Sequence, residues 1–426
     1  MDSLKPIVII GTLDTKAEEI NFVNNELKNK GCRTIVLDLS VGSKPLFSGD
    51  ISSEEVVKAG GGNPQEIYGN PDRVKINKII TEGAIIKVNE LYDRGKLGGI
   101  IGIGGTGGTL MCTNVMKSLP FGVPKLMVSS NAAARGFSER YFGTKDITMM
   151  HTVIDVAGIS DMLKVLLIQA AGAIKGMVEN YKMQNKLSKR EKPSVAVCEL
   201  MIDAETIGKL RHSLEELGYQ VGVFMATGVG DVAMEELIGE RLFDAVIDLA
   251  PGGIIDGLIG GTRATPANRL ETAGSIGIPQ IIAPGGLDFI APQKSKYLPE
   301  YENRKKYEPD AFRRLLRSNA DELIQAARII AEKLNKACGP VKFMIPLQGW
   351  STIDGPGKPL EDAEANTAFV KELKRRLNPK IEIQEIDARI NDSKFMSVVV
   401  DNIDAMIKKS LNRTTYLETE YFEGFD

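Results

Sequence analysis

The sequence predicts an α/β protein made of two Rossmann-like doubly wound domains with largely parallel sheets. Short, wholly apolar runs of the kind buried on both faces of a parallel sheet recur along the chain. Each is followed by a glycine-rich or polar turn and then a helical stretch, and a charged segment at 183–193 interrupts this rhythm once. The expected division is a first domain at 1–186, a second at 192–410 and a polar C-terminal tail at 411–426.

Ile7-Val8-Ile9-Ile10 reads as the first strand, and it empties into Gly11-Thr12-Leu13-Asp14-Thr15-Lys16 and a helix at 17–30. Thr15 and Glu18 have capping-box spacing, which starts that helix near Thr15. Asp14 and Lys16 stand at the mouth of the turn. A lysine there can reach a phosphate and an aspartate can hold a metal ion or a hydroxyl; equally, the two can be a cap and a solvated first-turn residue. Thr34-Ile35-Val36-Leu37-Asp38 is the second strand, with Asp38 placed either for ribose hydroxyls or for capping its own loop. Residues 40–70 read as a long polar, glycine-rich excursion, and 76–94 as a helix.

The centre of the first domain is Leu97-Gly98-Gly99-Ile100-Ile101-Gly102-Ile103-Gly104-Gly105-Thr106-Gly107-Gly108-Thr109-Leu110. It predicts a buried strand, a loop and a helix at 109–118. Helix starts carry unpaired N–H groups and partial positive charge, and glycine admits a phosphate where a β-carbon would block it. Gly104, Gly105, Thr106, Gly107, Gly108 and Thr109 are therefore candidate phosphate ligands, the alternative being a tight packing turn. A further strand at 124–130 ends on Ser129 and Ser130, at the edge where doubly wound sheets bind ligands. Residues 146–156 read as a strand in which His151 is a core or edge residue, and 160–182 as a long helix.

The second half repeats the pattern, with parallel strands expected at 194–197, 220–225, 245–249, 280–283, 341–346 and 381–386. Turns at 227–231, at Ala250-Pro251-Gly252-Gly253 and at Ala283-Pro284-Gly285-Gly286 could hold anions. Gly349-Trp350-Ser351-Thr352-Ile353-Asp354-Gly355-Pro356-Gly357-Lys358 is a stiff loop that holds the only tryptophan. Asp354 there could face a common cleft with Asp14 and Lys16 if the two sheets oppose their C-terminal edges.

Composition excludes several classes. A net charge of -3 gives no basic field for nucleic acid or an anionic membrane, and no apolar stretch reaches the roughly 18 residues that span a bilayer. Two histidines cannot build a multi-histidine metal centre and give little material for a Ser-His-Asp triad. Four scattered cysteines without a C-x-x-C pair and the lack of a signal sequence point to a cytoplasmic protein with reduced thiols. The glycine loop lacks the lysine and Ser/Thr of a Walker P-loop, and no acidic residue follows between Leu110 and Ser138 to bind a ribose, which counts against a nicotinamide-dependent enzyme.

Five stretches together resemble one family: Gly11-Thr12-Leu13-Asp14-Thr15-Lys16, residues 99–128 with Ser118-Leu119-Pro120-Phe121-Gly122-Val123-Pro124-Lys125, Gly143-Thr144-Lys145-Asp146-Ile147-Thr148-Met149-Met150, Ala226-Thr227-Gly228-Val229-Gly230 and the loop 350–358. It is the Tm-1-like ATP-binding domain family, that of the tomato mosaic virus resistance protein. The resemblance covers about residues 6 to 405 and implies two Rossmann-like domains, ATP held by the first domain's loops, and a homodimer. Departures gather in the second half, at Cys198-Glu199-Leu200-Met201-Ile202-Asp203-Ala204, at Ala250-Pro251-Gly252-Gly253 and at Met225, so the second ligand is expected to differ.

The resulting expectation is an ATP-binding protein, with Mg²⁺ as a possible companion, acting on a small polar metabolite between its domains. The alternatives are a non-catalytic nucleotide-responsive protein and a nicotinamide-dependent enzyme. The expected nucleotide site is Gly11, Thr12, Asp14, Thr15, Lys16, Asp38, Gly104, Gly105, Thr106, Gly107, Gly108, Thr109 and Ser129. Lys16 would neutralise phosphate charge, Asp14 would orient Mg²⁺ or its water, and Asp354 would touch the second ligand or a partner subunit.

Overall fold

Strand β1 (Ile7–Gly11) is buried at every position, and its side chains alternate between two different cores. Ile7 and Ile9 pack under helices α1 (Ala17–Asn29) and α6 (Asp161–Asn180), while Val8 and Ile10 pack under α3 (Arg73–Asp93) and α4 (Thr106–Lys117). A strand covered on both faces has no solvent side, which is why the run is apolar without alternation. The computed structural model describes residues 4–43, 45–66, 72–134, 136, 138–181 and 192–422. The chain divides into two compact units, 1–189 and 190–426; the charged stretch expected between the domains lies for the most part outside the described residues.

The first unit is one five-stranded parallel sheet. Its remaining strands are β2 (Thr34–Asp38), β3 (Gly99–Gly104), β4 (Lys125–Ser129) and β5 (Thr148–His151), in the order β2-β1-β3-β4-β5. The expected strand at 146–156 is therefore shorter, an edge strand that ends at His151. The excursion at 40–70 holds a helix, α2 (Ser53–Ala59), which Ser52 and Glu55 start with a capping box. The sequence reading expected no helix in this stretch. The box expected from Thr15 and Glu18 does not form: α1 begins at Lys16 without a side-chain cap, because the Thr15 hydroxyl bonds that of Thr12 at 2.6 Å. A short turn of helix, α5 (Ser138–Tyr141), precedes β5.

The second unit has a six-stranded parallel sheet in the order β14-β13-β9-β8-β6-β7. In chain order its elements are β6 (Ser194–Glu199), α7 (Ala204–Glu216), β7 (Gln220–Met225), α8 (Gly230–Gly239), β8 (Ala245–Asp248), α9 (Gly253–Ile259), α10 (Thr272–Ile276) and β9 (Gln280–Ile282). Then come β10 (Phe289–Ile290), β11 (Lys306–Tyr307), β12 (Leu315–Arg317), α11 (Ala320–Leu334), β13 (Val341–Pro346), α12 (Ala363–Arg376), β14 (Glu382–Ile386) and α13 (Ser393–Phe422). Helices α7 and α13 cover one face, through Leu210, Leu214, Phe395 and Val399, and α11 and α12 cover the other. Strands β10, β12 and β11 form a small antiparallel sheet that the sequence reading did not include. Helix α13 continues past residue 410 into the stretch expected as a tail. No helix among the described residues is long and apolar enough to cross a membrane.

Helices α2 and α3 cross with their backbones almost touching. A β-carbon on Gly83 would fall 1.8 Å from the Val56 carbonyl oxygen, and one on Gly60 would fall 2.1 Å from that of Ile79. Gly83→Ala must push the helices apart and is expected to cost the first unit about 1–3 kcal/mol, the range of overpacked cores. Gly172→Ala on α6, where a β-carbon meets nothing within 4 Å, is expected to be neutral or stabilising. Urea unfolding of the two variants checks this contrast.

Candidate functional site

In a doubly wound sheet the place left uncovered is where the strand order reverses, because crossovers leave neighbouring strands there in opposite directions. In the first unit β1 lies between β2 and β3, so the reversal falls between the C-terminal ends of β1 and β3. The two loops singled out in the sequence, 11–16 and 104–109, leave the sheet at these two ends.

The loop after β1 is a tight turn, with the amides of Thr15 and Lys16 both bonded to the Thr12 carbonyl, at 3.1 and 2.8 Å. Asp38 lies beneath it, fully buried. Its Oδ1 accepts from the Leu13 amide at 3.1 Å, the Ser40 amide at 2.9 Å and the Ser40 hydroxyl at 2.5 Å. Burial pushes its carboxyl above the usual range while these donors pull it back. Asp38 thus joins the loops after β1 and β2 and turns no surface toward a ribose. Asp14 is also engaged with the chain: its Oδ2 accepts from the amides of Gly42 and Ser43 at 2.8 and 3.2 Å, and its Oδ1 is buried. Lys16 donates to the Val156 carbonyl oxygen. Gly11 is buried at the strand end, Thr12 is nearly so, and Thr15 is exposed.

The glycine loop is built differently. Gly104 is buried as the last residue of β3, Gly105 is the N-cap of α4 in an extended conformation, and no side chain caps this helix. Thr106 and Gly107 are exposed and Gly108 partly so. The Thr109 amide bonds the Gly105 carbonyl at 2.8 Å as the first helical bond, so the amides before it lack intrahelical acceptors. Buried Thr109 and Ser129 share a hydroxyl bond of 2.6 Å, and Ser129 also accepts from the Asn131 amide at 3.0 Å. These two residues hold the base of the loop onto β4 and lie below its surface.

One neighbour of this loop, Asp155, escaped the sequence reading, and Ser130 was placed at this edge without a role. Ser130 donates to Asp155 Oδ1 at 2.9 Å, and the Val156 amide donates to the same oxygen at 2.8 Å. Asp155 was hidden by the strand expected through Val156; the real strand stops five residues earlier, at His151, and leaves it in a loop at the same sheet edge.

In the second unit the reversal falls between β6 and β8, and it is filled by the chain itself. A β-carbon on Gly252 would fall 2.3 Å from the Gly286 carbonyl oxygen, and one on Gly253 2.5 Å from Thr265. The Ala-Pro-Gly-Gly turns expected as anion sites therefore use their glycines for packing. Below them buried Arg269 meets Asp248, Glu235 at 3.3 Å and Asp231 at 3.6 Å. Asp354 lies in this unit and is fully buried: its Oδ2 accepts from the Trp350 amide and from Asn366, each at 3.0 Å, which ties its own loop. Its buried neighbour Asp288 accepts from Ser351 Oγ at 2.6 Å. Among the described residues no group of three or more His, Cys, Asp or Glu could hold a metal ion by itself.

Comparison with known proteins places the chain. Residues 5–183 match the N-terminal domain, and residues 192–407 the C-terminal domain, of the uncharacterised protein family UPF0261. The UPF0261 protein of Clostridium tetani is 34% identical over 95% of this chain and 100% of its own length. That of Brucella suis is 31% identical over 95% of this chain and 96% of its own. The tomato ToMV resistance protein Tm-1(GCR237) is 30% identical over 95% of this chain, which spans 56% of that protein. The chain belongs to the UPF0261 family, and the resemblance drawn from its motifs is to this same group.

Burial, then the carboxylate of Asp354, pushes Asp288 up to about 6 from an ordinary 3.8, while Arg317 pulls it the other way. An acid raised in the folded state favours folding while it is protonated. That contribution is complete below the unfolded value and is lost as pH rises through about 6. Asp288→Asn, neutral throughout, is free of this loss. The urea midpoint of its second unit is expected to gain on the wild-type midpoint as pH rises from about 4 to about 7.

Proposed function

We propose that the first unit binds a nucleoside triphosphate, with its phosphates over the glycine loop at the N-terminus of α4, and that the protein uses the nucleotide on a small polar metabolite. One observation carries the phosphate part. Gly107 and Gly108 occupy the first turn of a helix, although glycine is a poorer helix former than alanine. Neither has a positive φ; a β-carbon on Gly107 would meet nothing within 4 Å, and one on Gly108 only a carbonyl oxygen at 3.9 Å. Neither backbone conformation nor packing asks for glycine at these positions. A ligand that must come close to the backbone does, and uncapped amides at a strand-order reversal favour an anionic one. Lys16, on the neighbouring loop and bonded to the Val156 carbonyl oxygen, adds a positive charge at the same sheet edge.

ATP is the ligand that the motif resemblance implies, and the geometry supports its phosphates. The ribose-binding role expected of Asp38 is set aside, since that carboxylate is buried under the loops. This also removes the main residue on which a nicotinamide-dependent reading relied.

Titration calorimetry and thermal melting with ATP, ADP, AMP and NAD test the reading. ATP is expected to bind and to raise the melting temperature, since a ligand at a hundredfold excess over Kd adds about 2.7 kcal/mol. Gly107→Val is expected to abolish binding while its unfolding free energy stays within about 0.5 kcal/mol of wild type, because the side chain points into open space. Normal ATP affinity in this variant would make the loop a plain helix start. Turnover of ATP on adding candidate metabolites separates enzymatic use from a nucleotide-responsive binder.

A further inference from the structure

Asp155 is held beside the glycine loop with one oxygen oriented and one spare. Oδ1 accepts from Ser130 Oγ and from the Val156 amide, and Oδ2 takes no hydrogen bond from a described residue, while the residue as a whole is exposed. Ser130 adjoins the loop: a β-carbon on Gly105 would stand 3.7 Å from its Oγ. The chain Gly105, Ser130, Asp155 thus brings a fixed carboxylate to the rim of the helix start. Its bonds from Ser130 and Val156, with the nearby Lys16 ammonium, hold the carboxyl below the usual range, so it is charged throughout physiological pH.

The other acids of this edge each bond loop amides through one oxygen and bury the second without a partner. Asp14 spends Oδ2 on two amides of the loop after β2 and buries Oδ1. Asp38 has no exposed surface. A nucleotide's Mg²⁺ does not need the multi-carboxylate cage that is missing among the described residues. It keeps several waters and takes one or two carboxylates together with the phosphate oxygens. A single oriented carboxylate beside a phosphate loop is a donor set that fits a metal arriving with its nucleotide and binds poorly to the metal alone.

We propose that Asp155, through its spare oxygen, receives the hydrated Mg²⁺ that accompanies the nucleotide phosphates, with Ser130 as its positioning residue and Asp14 confined to the loop scaffold. The inference rests on the nucleotide reading above. The Lys16 ammonium, bonded to the Val156 carbonyl next to Asp155, would then add its charge to the metal's at the same edge, and such charges are the means by which phosphoryl chemistry is catalysed.

The test is calorimetric titration of ATP into the full chain, once in MgCl₂ and once in EDTA, alongside electron paramagnetic resonance of Mn²⁺ with ATP. Wild type is expected to bind ATP more tightly with Mg²⁺ and to broaden the Mn²⁺ signal only when ATP is present. Asp155→Asn keeps the bonds to Ser130 and Val156, so it is expected to match wild type in EDTA and to lose the magnesium gain. Ser130→Ala, with the carboxylate intact but no longer oriented, is expected to weaken the metal-dependent part by about tenfold or more. Wild type that binds no ATP in either buffer overturns the nucleotide reading and this one with it. Wild type that binds ATP, with a magnesium gain that is absent or survives Asp155→Asn, overturns the Asp155 assignment alone. So does an Asp14→Asn variant that melts like wild type yet loses the gain.

Discussion

The first unit depends on the position of β1 between β2 and β3. Because the chain leaves β1 toward one side and later returns to the other, no crossover helix can lie over the carboxyl ends of both strands. The gap is a consequence of chain order, whatever residues line it. What the residues decide is whether the gap is stiff and whether it is open. Stiffness comes from buried Asp38, which gathers donors from the loops after β1 and β2 onto one oxygen. Openness comes from a glycine N-cap and from the lack of any side-chain cap on the first amides of α4.

Glycine serves two opposite purposes in this unit, and only the structure separates them. At Gly60 and Gly83 it allows two helix backbones to meet, and any side chain there collides with a carbonyl oxygen. At Gly107 it faces open space. Packing accounts for the first pair and nothing within the chain accounts for the second, so glycine at 107 carries a functional argument that the mere count of glycines cannot.

Much of the fold was legible because burial on both faces leaves a plain trace. Strands such as Ile7–Gly11 and Gly99–Gly104 are apolar runs bounded by turns, and the β-α rhythm sets the parallel sheets. The small sheet of β10, β12 and β11 was not legible, since two- and three-residue strands are too short to show a period. The candidate site was half legible. A glycine-rich turn after a buried strand announces uncapped amides, so the residues 104–109 could be named. The fates of Asp14, Asp38 and Asp354 could not, because a carboxylate at a strand end looks the same in sequence whether it faces a ligand or its own loop. Each turned out to accept backbone amides. Asp155 was missed for another reason: it fell inside an expected strand that in fact ends at His151, and Ser130, which orients it, lies far from it in sequence.

The second unit has the same strand-order reversal, and comparing the two shows that topology supplies a place but not a ligand. Between β6 and β8 the glycines at 252 and 253 are pressed against Gly286 and Thr265, and α9 is only seven residues long. Arg269 has three carboxylates below this point, all of them buried, so the strongest local charge is already answered from within. Removing one member of such a cluster leaves an uncompensated buried charge, and the cluster therefore resists being opened for a ligand. In the first unit the corresponding charges are Lys16 and Asp155, exposed or partly so, with one carboxylate oxygen unspent. One sheet edge has paired its charges with one another inside the fold and the other keeps its charges at the surface. Ligand chemistry is therefore to be sought first at the β1/β3 edge, and the second unit's contribution in loops away from its own reversal point.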